Sequence, residues 1–196
     1  MKRIRNILLG RSVCFFFFVL ALVIGLVLPF CWGNNPGDKY GTLSLLCENH
    51  IPWFWLWACL TGGCFALNLE RLFHTHDCSK KFLHALVIAM LAGLVLTSAT
   101  LNHSIEDLNP KRVLHWVGAI LYAGSLLAAI ALFLLLKVRR NRRFLPFLIF
   151  DVLIGVMVLV WLLCIGRSGY MEMIPIALLE CMLAVMNFTP ALGGTA

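Results

Sequence analysis

Residues 13–32 read VCFFFFVLALVIGLVLPFCW and contain no charged side chain. A helix crossing the hydrocarbon core of a bilayer needs roughly 20 apolar residues, and this stretch supplies them. It follows MKRIRNILLGR, a basic start like that of a secretory leader. The apolar run exceeds the ~7–15 residues usual for a leader core, and no A-x-A cleavage pattern follows, so the sequence predicts a retained span.

The rest of the chain has the same character. It is 61% hydrophobic and 13% charged, with a mean hydropathy of +0.91. A soluble domain of this length cannot hide so much apolar surface, so lipid must serve as much of its solvent. Further apolar stretches occur at about 51–69, 82–101, 113–136, 144–164 and 171–189. With 13–32 they make six, use the whole chain and leave no room for a separate soluble domain. The expected fold is all-α: a single polytopic bundle of six transmembrane helices over 1–196. Trp53, Phe54, Trp55 and Trp57 open the second span like an interfacial aromatic belt. Pro146 is tolerable in a first helical turn, and Pro175 falls inside the sixth span.

The 16 basic residues sort by side. With the N-terminus inside, Lys2, Arg3, Arg5, Arg11, Arg71, Lys80, Lys81, Lys137, Arg139, Arg140, Arg142 and Arg143 are cytoplasmic. Lys39, Lys111, Arg112 and Arg167 are external. Twelve against four is a strong positive-inside bias, so both termini are expected in the cytoplasm. The net charge of +7 is used up by this asymmetry, and no basic face interleaved with aromatics suggests nucleic acid.

Two groups of polar residues stand out. The first gathers at the outer ends of the spans: Ser44, Glu48 and His50 before span 2, and Asn102, His103 and Asp107 in LNHSIEDLNPKRVLHW (101–116). His115 and Tyr122 share a face of span 4, where Gly118 and Ala119 leave room for a neighbouring helix, and Glu172 opens span 6. These residue types can bind a ligand or ion or orient an imidazole, and equally can serve as helix caps and wetted loop. Asn109-Pro110 reads as a helix start. The second group is Asp151 and Glu180, two acids within spans. An ionised side chain there is costly unless paired, hydrated or protonated, so both are expected to face the bundle interior. Thr61 and Tyr122 lie at the depth of Glu180.

Other chemistry is not indicated. No zinc-finger spacing, HExxH or GxSxG occurs, and no metal or cofactor is expected. His84 and His115 sit at opposite membrane faces and cannot share a haem iron. His74 and His76, in FHTHDCSKK, are expected in a solvated cytoplasmic loop. Cys31 and Cys47 lie on the same outer side, where an oxidising compartment would permit a disulfide.

The segments SLLCENHIPWFWLWACLTGGCFALNL and LNHSIEDLNPKRVLHWVGAIL resemble those of bacterial and archaeal six-span proteins related to the DRAM/Frag/Sfk membrane proteins. Ser44, Glu48, Pro52, Asp107 and His115 match that family's pattern by position. The resemblance implies an integral protein of the plasma membrane without an established reaction. The expected function is binding or sensing of a lipid, ion or small ligand at an outward polar site, with membrane lipids as neighbours. The alternatives are an outer-leaflet hydrolase or transferase with His115 as base, and a proton-coupled carrier using Asp151 and Glu180.

Overall fold

The computed structural model describes residues 6–38, 41–47, 50–78, 80–101, 110–164, 166 and 168–189. Of the described residues 87% are helical and none lies in a strand. Six long helices follow one another: α1 (Arg11–Val27), α2 (Ile51–Thr75), α3 (Lys81–Ala99), α4 (Pro110–Val138), α5 (Leu145–Cys164) and α6 (Gly169–Phe188). Helices suit such a chain because each satisfies its own backbone polar groups where no water can.

The helix ends follow from local chemistry. A 3₁₀ segment, Leu28–Gly33, extends α1 and ends where Trp32 (φ 55°) and Gly33 (φ 74°) turn left-handed. A one-turn helix, Leu43–Leu46, lies between α1 and α2. Pro52 sits in the first turn of α2 and Pro110 opens α4, positions where a missing N–H costs nothing. Ser168 caps α6, its Oγ accepting from Met171 N at 3.3 Å. Pro175 lies buried inside α6 and deprives the Met171 carbonyl of its intrahelical donor.

Among the described residues five helical segments are long and apolar enough to cross a membrane: Arg11–Gly33, α3, α4, Arg142–Cys164 and α6. The exception is α2. Its 25 residues span roughly 37 Å at 1.5 Å each, longer than the hydrocarbon core, but it is less apolar than the others. The packing gives the reason. α2 touches α1, α3, α4 and α6 and carries the longest row of buried side chains, Thr61, Gly62 and Asn68 among them. A helix walled in by protein need not match lipid. α5 is the converse: only Asp151 and Ile154 are buried, and the remainder presents apolar surface outward.

The tightest seam joins α3 to α4. A Cβ on Gly93 would come within 2.8 Å of the Gly118 carbonyl oxygen, and one on Gly118 within 2.7 Å of Thr97 N. The two backbones are therefore in direct contact, as small residues permit in membrane bundles. Elsewhere the core is aromatic and aliphatic, with Phe54, Phe65, Phe73, Phe133 and Phe144 among its largest fully buried side chains.

Candidate functional site: a cleft ending at Glu180

A narrow cleft, with about 10 Å³ open to a water-sized sphere and so room for about one water, runs between α1, α2 and α6. Leu22 and Gly25 line it from α1, Trp57 from α2, and Glu172, Ile176 and Glu180 from α6. Glu172 and Glu180 are eight residues apart on one helix, about 12 Å along its axis. Glu172 holds the end nearer the start of α6. Its Oε2 accepts from the Leu43 backbone N–H at 2.7 Å and so ties the one-turn helix to α6. Gly25 faces the Trp57 indole across the cleft, where a Cβ would make an ordinary 3.7 Å contact with Trp57 Nε1.

Glu180 ends the cleft and is 1% exposed. It lies within electrostatic range of Cys64, Tyr122 and Cys181. Glu180 Oε1, Thr61 Oγ1 and Tyr122 Oη are all buried, and none has a hydrogen-bond partner among the described residues. Buried polar atoms are almost always satisfied, so an orphaned Glu180 oxygen with the orphaned Tyr122 hydroxyl in its range marks a place where something polar belongs.

Below Glu180 the same interface is sealed. Asn68, 1% exposed, donates from Nδ2 to Cys64 O at 2.9 Å and to Cys14 O at 3.4 Å. Asn187 Nδ2 donates to Asn68 Oδ1 and Asn68 O, both at 3.1 Å. Nearer the α1 start, Arg71 Nη1 donates to Leu9 O at 2.5 Å and Arg11 Nη2 to Phe188 O at 3.0 Å. Glu172, Glu180 and Asn187 thus follow one another along α6, open above and hydrogen-bonded shut below. Sequence reading missed Asn68 and Asn187. The signal was present: Thr61, Cys64 and Asn68 recur at helical spacing along one face of α2.

The outer residues expected to share one site divide. Glu48, Asn102, His103 and Asp107 lie outside the described residues, as does Asn109. Ser44 Oγ lies 3.4 Å from Thr42 Oγ1, one residue from the Leu43 N–H that Glu172 holds. His50 stacks on Trp32, ring centroids 3.9 Å apart, and Trp32 adopts its left-handed φ there. His115 belongs to the α3–α4 seam. Its Nδ1 is 2.9 Å from Thr97 O; a carbonyl only accepts, so Nδ1 carries the proton. Tyr122 lies buried in the interior beside Glu180 and not at the outer surface. Asp151 is 2% exposed with Oδ1 unpartnered among the described residues, but it does not line the cleft.

Three further placements matter. His76 is not solvated, contrary to the loop expectation: it is 9% exposed between Phe133 and Phe144, and Lys137 Nζ donates to its carbonyl. The reason is that α2 runs past 69 to Thr75 and carries His76 into the aromatic cluster at the helix end. Burial, then the Lys137 charge, pushes the His76 imidazole below its usual value, and Asp77 opposes this. His84 Nδ1 pairs with Glu70 Oε1 at 2.6 Å across α2 and α3. Cys31 and Cys47 are free thiols; burial, Glu172 and Cys31 push Cys47 up to about 12.

Among the described residues no group of three or more His, Cys, Asp or Glu side chains is arranged to hold a metal ion. Comparison with family models, curated proteins and solved structures finds no match to this chain.

Proposed function

We propose that this chain is a six-span integral protein of the plasma membrane, both termini cytoplasmic, that binds a small cation, H⁺ foremost, at Glu180. The cleft faces outward in this reading, because Glu172 lies at the end of α6 assigned to the outside by the distribution of Lys and Arg. α2 is its sixth span, screened from lipid by its neighbours. The likeness to the DRAM/Frag/Sfk-related six-span proteins fits this architecture and carries no reaction with it.

One observation carries the proposal. Glu180 is a carboxyl at the closed end of a cleft, with an unpartnered oxygen and no basic side chain affecting it. A carboxylate so placed needs a compensating cation or proton. The cleft is narrow, which favours a proton or bare ion over an organic ligand. Tyr122, within electrostatic range of Glu180, supplies a hydroxyl that can hold the bound species or an accompanying water. Glu172, tethered by Leu43 N–H, provides a first carboxylate at the entrance. The Asn68–Asn187 contact separates this half-channel from the other face. The arrangement describes a sensor of external pH, or the outward-facing state of a proton-coupled carrier.

The test is infrared difference spectroscopy of reconstituted protein on stepping the pH. A carboxyl C=O band should respond to the step and vanish in Glu180→Gln, while Asp151→Asn leaves it in place. A band unaffected by Glu180→Gln would end the proposal.

A further inference from the structure

The sequence holds no acid between Asp107 and Asp151, yet places four arginines in five residues, R139-R-N-R-R143. All four are exposed. They are carried on an ordered turn between α4 and α5. Arg140 N and Asn141 N donate to Lys137 O at 2.9 and 2.8 Å, closing the end of α4. Asn141 Oδ1 accepts from Arg143 N at 3.0 Å, and Phe144 N donates to Asn141 O at 3.2 Å. Phe144 then anchors the turn: it is 2% exposed, with ring centroids 5.3 Å from His76 and 6.2 Å from Phe133.

The turn also sits at a defined depth. α5 begins at Leu145 and its 20 residues measure about 30 Å, the thickness of a hydrocarbon core. Its outward surface is apolar from Leu145 onward. Arg142 and Arg143 therefore fall in the headgroup layer, beside the lipid that covers α5.

From this geometry we infer that the Arg139–Arg143 turn is a binding site for the phosphodiester headgroup of an anionic glycerophospholipid. The exposed guanidinium groups of Arg139, Arg140 and Arg142 on a fixed turn offer paired N–H donors that match phosphate oxygens bidentately, which lysine cannot do. The acyl chains of the same lipid find the exposed Ile149, Val152 and Leu153 of α5 below the turn. The site is independent of Glu180 and of any ion bound there.

The full chain, purified in neutral detergent, is mixed with equal amounts of dioleoyl phosphatidylglycerol and dioleoyl phosphatidylcholine, and retained lipids are counted by native mass spectrometry. Phosphatidylglycerol should be retained about tenfold over phosphatidylcholine. R139K/R140K/R142K/R143K keeps the charge and should lose most of that preference. The half-variants R139K/R140K and R142K/R143K, which disturb the turn less, should each lose part of it. K80Q/K81Q, at the exposed start of α3, should leave it intact, and millimolar inorganic phosphate should not displace the lipid. Equal retention of both lipids by the native chain overturns the inference. So does full preference in the lysine variants, an equal loss in K80Q/K81Q, or displacement by free phosphate.

Discussion

Gly118 and Gly124 lie six residues apart on α4 and make a matched pair. At Gly118 an added Cβ would stand 2.6 Å from Thr97 Oγ1, 2.7 Å from Thr97 N and 2.9 Å from Gly93 O. Two of these are backbone atoms, so α3 and α4 must move apart. At Gly124 a Cβ meets nothing within 4 Å. Overpacking a tight contact costs about 1–3 kcal/mol, and a backbone clash belongs at the upper end. Separation of the seam also weakens the His115–Thr97 hydrogen bond, a loss averaging about 0.6 kcal/mol in membrane bundles. Against this, replacing glycine by alanine in a helix gains up to about 1 kcal/mol at either site. Gly118→Ala should therefore destabilise by about 1–3 kcal/mol and Gly124→Ala should be neutral or slightly stabilising, a gap of about 2–4 kcal/mol. Unfolding of the purified variants in mixed micelles with increasing denaturing detergent measures both. Indistinguishable midpoints would refute the close α3–α4 crossing.

His76→Ala should cost about 2–4 kcal/mol, because it empties a buried aromatic cluster. The His76 imidazole binds its proton less readily folded than unfolded, so stability should fall as pH drops below about 6.5 and level off beneath the folded value. His76→Gln should flatten that slope in the same unfolding assay. A form retaining Cys47 alone should resist water-soluble maleimide in mildly alkaline buffer until unfolded, since burial first and Glu172 second still push its thiol up; rapid labelling of the folded protein would contradict that placement. Asn68→Ala removes the donor to Cys64 O and an acceptor for Asn187, and should let the cytoplasmic-side pH reach Glu180.

The helices were legible because their signal is local. A run such as 13–32 needs no partner to be read, and the boundaries expected for spans 3 to 6 fall within about three residues of the observed helices. α2 was harder. Its internal Gly, Asn and Thr make sense only once the neighbouring helices pack against them. The site was legible residue by residue but not as a grouping. Glu180 and Asp151 announced themselves as acids in apolar runs, yet only packing places Glu180 on a cleft and Asp151 away from it. His115 was legible as a polar residue of span 4, but its Nδ1 contact with Thr97 O across the α3–α4 seam was not. Asn68 and Asn187 were passed over because a neutral amide is a weak signal in one sequence. Their role arises from meeting each other across 119 positions of chain.

Sidedness of protonation at Glu180 tests the account most directly. The protein is reconstituted in vesicles of known orientation, and the carboxyl infrared band is followed while pH is stepped on one side at a time. The account predicts a response to the outer step alone, lost in Glu180→Gln and made two-sided by Asn68→Ala. A Glu180 band that follows the inner pH in the native chain, or follows neither side, would contradict an outward cleft closed by Asn68 and Asn187.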